Sequence, residues 1–152
     1  MITLRPYEPH DEDASVALWL RSWQAAYPGL DFAERVDWWR KRWRSEILPA
    51  AAVVIAEDMV EKDSARMVGF VTVDAKTRYL DQLVVAPDYW RAGVGTALIE
   101  EAKRLSPRGL DLDVNTDNAR AIAFYRRQGF LVTGAGVNPM SGNPVHRMSW
   151  RP

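Results

Sequence analysis

The sequence predicts a mixed α/β fold in a single domain, residues 1–152. The fold is a central, mostly antiparallel sheet of about six to seven strands, flanked by about four helices. Seven short segments show the apolar runs or alternation typical of strands, and four repeat apolar residues at helical spacing. Strands alternate with helices in the middle of the chain, which predicts a parallel crossover. Near both ends strands follow one another, which predicts antiparallel pairs.

Each predicted element rests on a local pattern. The strands are 2–5, 52–56, 67–74, 79–85, 110–114, 131–137 and 145–150. The helices are 11–24, 32–47, 94–105 and the segment between Asn118 and Gly129. The segment 57–66 is polar with charges of alternating sign, so we predict a loop there.

Tryptophan is abundant, with seven residues in the chain. In the second helix, Trp39 and Trp43 continue the apolar stripe that Phe32 and Val36 begin, so both are predicted to be core residues. Trp38 lies off that stripe. It is either a half-buried aromatic residue or part of an aromatic wall for a substrate or partner.

Charge excludes some partners. The chain has 20 basic and 20 acidic residues, so no net field favours nucleic acid or an anionic membrane. A local basic cluster, Arg40-Lys41-Arg42 with Arg44, is interpreted as a solvated helix face, with an RNA-binding patch as the alternative.

Several site chemistries are excluded by composition. The chain has no cysteine, which removes disulfides, a cysteine nucleophile and thiolate metal sites. His10 and His146 form no ligand pair, so no metal is expected. No run approaches the roughly 20 apolar residues of a membrane span, so we expect a cytoplasmic protein.

Two glycines stand where a predicted strand gives way to a predicted helix. The strand ends at Val85 and the helix opens on Gly93-Val94-Gly95. A helix start leaves unpaired N–H groups at the positive end of its dipole, and glycine lets a diphosphate reach that backbone. The alternative is a tight turn without a ligand. A Walker loop is excluded because its lysine is missing, and a dinucleotide fingerprint because Leu98 replaces its third small residue.

A second segment, 115–130, reads Asn-Thr-Asp-Asn-Ala-Arg-Ala-Ile-Ala-Phe-Tyr-Arg-Arg-Gln-Gly-Phe. Asp117 and Asn118 suit the start of a short helix and Gly129 its stop. Together with the strand and glycine turn of 83–98, this segment resembles the GNAT superfamily of acyl-CoA-dependent N-acyltransferases. The resemblance is strong over 79–137. It implies the GNAT fold and acetyl-CoA as cofactor.

One position departs from the superfamily pattern. The phosphate loop usually begins with Arg or Gln three residues before the first glycine, where this chain has Trp90. The backbone can still bind phosphate, and Arg91 is the candidate for the missing charge. By resemblance, CoA is held by the strand, the loop and the following short helix: Leu83, Val84, Val85, Arg91, Ala92, Gly93, Val94, Gly95, Thr96, Asn118 and Tyr125.

The resemblance also implies the reaction, in which an amine attacks the thioester of acetyl-CoA directly in a ternary complex. Backbone N–H groups of Val84 and Val85 are the expected oxyanion donors. Tyr125 is the expected proton donor to the departing CoA thiolate. On periodicity alone, Tyr125 would be a core aromatic residue. Asn118 is a helix cap on its own pattern and a cofactor contact by resemblance.

Asp81 is the predicted base, because an acid within an apolar strand is costly unless it is paired or functional. The alternative is an ion pair with Arg78 or another basic residue. By resemblance, the first two helices shape the acceptor pocket. Its candidate residues are Trp23, Tyr27, Trp38 and Trp43, together with Tyr79 and Asp81.

Three functions compete. The first is an N-acetyltransferase that moves an acetyl group from acetyl-CoA to a primary amine of a small molecule or peptide. The second is an acyl-CoA-binding regulator with little turnover. The third is a domain without enzymatic activity, whose glycine turn is structural and whose aromatic surface binds a protein partner. A homodimer is compatible with each of them.

Overall fold

The computed structural model describes all 152 residues, arranged around one seven-stranded sheet. The strands are β1 (Ile2–Pro6), β2 (Ala52–Glu61), β3 (Ser64–Asp74), β4 (Tyr79–Val85), β5 (Leu110–Asn115), β6 (Leu131–Val137) and β7 (Pro144–Trp150). Their order across the sheet is β1-β2-β3-β4-β5-β7-β6, and only β4 and β5 are parallel neighbours. The predicted antiparallel sheet with one parallel crossover is therefore confirmed.

Helices cover both faces of the sheet. They are α1 (Glu12–Ala26), α2 (Val36–Arg42), the single turn α3 (Leu48–Ala50), α4 (Val94–Leu105) and α5 (Ala119–Arg127). Gly69 and Phe70 are neighbours on β3 and so point to opposite faces. A Cβ on Gly69 would lie 2.9 Å from the Leu98 side chain of α4, whereas the Phe70 ring packs on Trp43, 5.3 Å between centroids. None of the helices has the length and apolarity that crossing a membrane requires.

The segment predicted as a loop, 57–66, is instead part of a long hairpin, so that prediction is wrong. Strands β2 and β3 run through it and turn only around Asp63. Asp63 has a φ of 65°, a left-handed conformation that Asp tolerates in turns. The alternating charges suit this exposed ribbon, because Asp58 lies directly across from Arg66.

The second predicted helix is divided in the structure. A 3₁₀ turn, Ala33–Arg35, precedes α2, and a π-helical turn, Trp43–Ile47, joins α2 to α3. Trp39 and Trp43 are buried as predicted, 1% and 0% exposed, whereas Trp38 is 42% exposed. Residues four apart stay on one side of either kind of helix, so apolar spacing could not reveal the π turn.

Ion pairs connect α1 to the second helical segment. The Glu12 carboxylate accepts hydrogen bonds from Arg40 at 2.7 Å and from Arg44 at 2.6 Å. The hydrogen bond from Arg44 and, to a smaller extent, that from Arg40 lower the pKa of Glu12 to about 2. Two members of the basic cluster at 40–44 are thus paired with acids of α1.

Replacing Glu12 with Gln is expected to make stability less sensitive to acid. The unfolded pKa of Glu is about 4.3, so the folded value near 2 stabilises the fold above that pH, and this contribution disappears as the pH falls toward 2. Urea denaturation should therefore show a lower free energy of unfolding for Glu12→Gln at about pH 7, with a difference from wild type that shrinks steadily below about pH 4. A difference independent of pH would contradict this account.

A gap opens between β4 and β5. The two strands pair only at Tyr79 and Asp111. The pairing of β4 with β3 shifts register at the same end, which leaves Asp81 as an extra residue of β4 without a partner on β3. Such a bulge bends its strand. Beyond it β4 and β5 no longer pair, so the middle of the sheet is split where the candidate site lies.

Candidate active site

A cavity of about 1590 Å³ occupies the gap between β4 and β5. Residues of both strands line it, together with α1, α2, the start of α4, α5 and the β6–β7 loop. It brings together every predicted site residue of the chain except Ala92, Val94 and Trp43. Val94 and Trp43 are fully buried in the core. Trp43 therefore packs in the core and not at the cavity surface, so the prediction that it lines the acceptor pocket is wrong.

The glycine turn presents free backbone donors to this cavity. Gly93 caps α4 with a φ of 83°, a left-handed conformation that favours glycine. The first bond of the helix runs from Ala97 N–H to Gly93 O, so the N–H groups of 94–96 have no partner in the chain. A Cβ on Gly95 would lie 3.2 Å from the Phe124 ring, so α4 and α5 approach closely beside this turn.

Trp90 is fixed at the end of β4. Its indole Nε1–H donates to Val85 O at 2.9 Å, and the same oxygen accepts from Ser22 Oγ at 2.9 Å. The guanidinium of Arg120, on α5, lies 3.6 Å over the Trp90 ring. Arg91 also lines the cavity but is exposed.

The backbone of β4 alternates between the sheet and the cavity. Gln82 N–H donates to Thr72 Oγ1 at 3.0 Å, and Ala86 N–H donates to Val68 O at 2.8 Å, both on the β3 side. Strand alternation therefore turns the N–H groups of Leu83 and Val85 toward the cavity. It turns that of Val84 toward β3. The N–H group of Val84 therefore cannot donate to an oxyanion in the cavity, contrary to the sequence prediction. The N–H group of Leu83 points in the suitable direction.

Tyr125, on α5, and Asn118, at the N-cap of α5, both line the cavity. Burial raises the pKa of Tyr125 above its ordinary value, although the positive charge of Arg120 opposes that shift. The Tyr125 hydroxyl has no hydrogen-bond partner in the protein, and its side chain borders the cavity. Asn118 caps α5, since its Oδ1 accepts from Ala121 N–H at 3.2 Å. Tyr125 thus presents a protonated, unpartnered hydroxyl.

Asp81 lies at the bulge and forms an ion pair. Its two oxygens accept from Arg42 at 2.9 and 2.5 Å, and Gln82 Nε2 donates to it at 3.0 Å. The partner is Arg42 of α2, not the neighbouring Arg78. The sequence separation is 39 residues, so no local pattern could have identified Arg42. This pairing offsets the negative charge of Asp81 within the cavity.

The other two acids of the cavity have different partners. Asp113 of β5 accepts from Tyr79 OH at 2.9 Å and from Arg147 Nε at 2.9 Å. Asp117 accepts from Tyr27 OH at 2.8 Å and has no cationic partner. Among the three cavity acids, Asp117 alone keeps an unbalanced negative charge. The sequence pattern predicts for Asp117 only a place at the start of a helix.

Aromatic residues of the first two helical segments line the cavity. The rings of Trp23 and Tyr27 are stacked, with 5.9 Å between centroids, and Trp38 contributes its exposed ring to the same cavity. Asn115 Nδ2 donates to Tyr27 OH at 3.2 Å. The predicted aromatic residues of the first two helices, except Trp43, therefore line the cavity.

Comparison with known proteins agrees with this geometry. The model of the acetyltransferase (GNAT) family matches residues 13–130. The peptidyl-lysine N-acetyltransferase YjaB of Salmonella typhimurium is 32% identical over 144 residues, which cover 95% of this chain and 93% of the relative. YiaC of Escherichia coli, with the same activity in its name, is 28% identical over 150 residues, covering 97% and 95%.

Solved structures show the same architecture. The solution structure of the apo form of YjaB from Escherichia coli has a TM-score of 0.77 and 31% identity, covering 99% of this chain and 97% of that one. PaiA N-acetyltransferase from Thermoplasma acidophilum, crystallised with coenzyme A, has a TM-score of 0.77 and 20% identity, covering 100% and 99%. The chain therefore belongs to the GNAT family of acetyltransferases and transfers the acetyl group of acetyl-CoA to an amine.

Proposed function

We propose that the acceptor is the side-chain amine of a lysine in a peptide or protein. The observation that carries this proposal is the match, over nearly the whole chain, to relatives named peptidyl-lysine N-acetyltransferases. The cavity supports it. A lysine has an apolar stem and a cationic head, and the Trp23 and Trp38 rings line the same cavity as the unbalanced carboxylate of Asp117. Tyr27, which donates to Asp117, stacks on Trp23.

The cofactor occupies the opposite end in this proposal. The free N–H groups of 94–96 bind the diphosphate of acetyl-CoA at the positive end of the α4 dipole. The pantetheine arm follows β4, where the N–H groups of Leu83 and Val85 face the gap. Such donors stabilise the oxyanion that forms when the thioester carbonyl is attacked.

The acetyl group passes directly from CoA to the lysine nitrogen. The chain has no cysteine to carry the group as a thioester. A lysine ammonium has a pKa of about 10.4 and must lose a proton before attack. Two carboxylates are candidates for accepting it, directly or through water: Asp81, which Arg42 already pairs, and Asp117, which is free of cations. The N–C bond of the amide forms, the C–S bond of the thioester breaks, and Tyr125 gives its proton to the departing CoA thiolate.

A peptide panel tests the acceptor. One peptide has an acetylated N-terminus and one lysine; a second has a free N-terminus and no lysine; spermidine is the third acceptor. Mass spectrometry is expected to find acetyl groups on the lysine of the first peptide only, and none with Gly93→Glu. Acetylation confined to the free N-terminus or to spermidine would replace the lysine assignment with that acceptor class.

A further inference from the structure

Arg120 is a charged residue whose donors are unused within the protein. It stacks on Trp90 at 3.6 Å, and neither a carboxylate nor a hydrogen bond acts on its guanidinium. Arg120 borders the cavity with its side chain exposed to solvent, and arginine stays protonated in proteins. A positive side chain that is held on a ring at a cavity wall, with no carboxylate beside it and all its donors free, indicates an anion that is to be bound.

The position of Arg120 identifies the anion. Arg120 and Phe124 lie one turn apart on α5 and so share a face of that helix. The Phe124 ring lies where a Cβ on Gly95 would approach within 3.2 Å, at the start of α4. Arg120 itself lies over Trp90, three residues before Gly93. Its guanidinium is therefore beside the turn that offers free N–H donors.

We propose that Arg120, supported by Trp90, binds the diphosphate of CoA and replaces the Arg or Gln that the family pattern places at position 90. The inference rests on the proposed use of the glycine turn as the CoA phosphate site. At position 90, tryptophan lacks the polar group of Arg or Gln but has a flat ring. Arg120 of α5 packs on that ring and provides the positive charge instead.

The stacking geometry suits this role. A guanidinium that stacks through its face keeps its five N–H groups in the plane, free to form paired hydrogen bonds with phosphate oxygens. The Trp90 ring is held in turn by its bond to Val85 O, so Arg120 is oriented before the ligand arrives. Arg91 has no comparable support, because no aromatic ring packs on its guanidinium.

Calorimetric titration with CoA, 3′-dephospho-CoA and pantetheine tests the proposal. Arg120→Met keeps an unbranched side chain on Trp90 but removes the charge; Arg120→Ala removes both. We expect each to raise the Kd for CoA and for dephospho-CoA about ten- to a hundredfold, without changing weak pantetheine binding. Arg126→Ala, an exposed arginine on the same helix that does not border the cavity, is expected to bind CoA like wild type.

The pairing with Trp90 is tested by a double variant. Trp90→Arg combined with Arg120→Ala restores the family arrangement and is expected to recover most of the lost affinity. Unchanged CoA affinity in both Arg120 variants would overturn the proposal, as would an equal loss for pantetheine, which would indicate a change of pocket shape. An effect on CoA that dephospho-CoA does not show would assign Arg120 to the 3′-phosphate and overturn the diphosphate assignment. If wild type itself does not bind CoA, the phosphate site is wrong, and with it the proposed function.

Discussion

Replacing Tyr125 with Phe is expected to lower kcat about 10²- to 10³-fold while the affinity for CoA stays within about twofold of wild type. Burial raises the pKa of this hydroxyl, so it stays protonated at neutral pH and can donate to a thiolate whose conjugate acid has a pKa of about 8.5. Steady-state kinetics with the lysine peptide and calorimetry with CoA separate the two effects.

The same substitution distinguishes catalysis from packing. The Tyr125 ring lies 5.4 Å from Phe124 and 5.5 Å from Phe130, and phenylalanine preserves both contacts. Since the hydroxyl has no partner in the protein, its removal leaves no buried group unsatisfied. The melting temperature should therefore be unchanged. A variant with nearly wild-type kcat would show that Tyr125 is a core aromatic residue, which is what periodicity alone indicates.

The glycine turn and the helix start that form the candidate cofactor half of the site could be located from the sequence because they are close along the chain. The glycine turn and α4 start within a few residues of each other, and a helix start needs no distant residue to leave its N–H groups free. The same holds for the Asn118 cap of α5. Family resemblance then gave Tyr125 a role that spacing could not. The direction of the β4 donors was missed by one position, because it depends on the bulge at Asp81.

The acceptor half depends on contacts between distant parts of the chain. Tyr27 meets Asp117 across 90 residues and Arg42 meets Asp81 across 39. The basic cluster that suggested a solvated face is divided by the fold: Arg40 and Arg44 pair with α1, whereas Arg42 turns into the cavity. Composition shows how many charges the chain has, but only the fold decides which of them remain unbalanced.

Replacing Gly93 with Glu is expected to abolish CoA binding, with at least a hundredfold increase in Kd, while the protein stays folded. A Cβ on Gly93 would meet no atom within 4 Å, so the residue fits sterically, and only its φ of 83° opposes it. That conformation costs about 1–2 kcal/mol for a residue with a side chain. The carboxylate would occupy the phosphate position and repel the diphosphate.

Gly142→Glu separates backbone strain from the loss of the site. Gly142 also has a positive φ, 72°, with nothing within 4 Å of a Cβ. It lies in the β6–β7 turn, and unlike its neighbours Ser141 and Asn143 it does not border the cavity. Both variants should lose similar stability. Only Gly142→Glu should keep the ligand-dependent rise, about 2.7 kcal/mol when CoA is present at 100 times its Kd. If Gly93→Glu showed the same rise, the turn would be structural, and the diphosphate would have to bind elsewhere in the cleft.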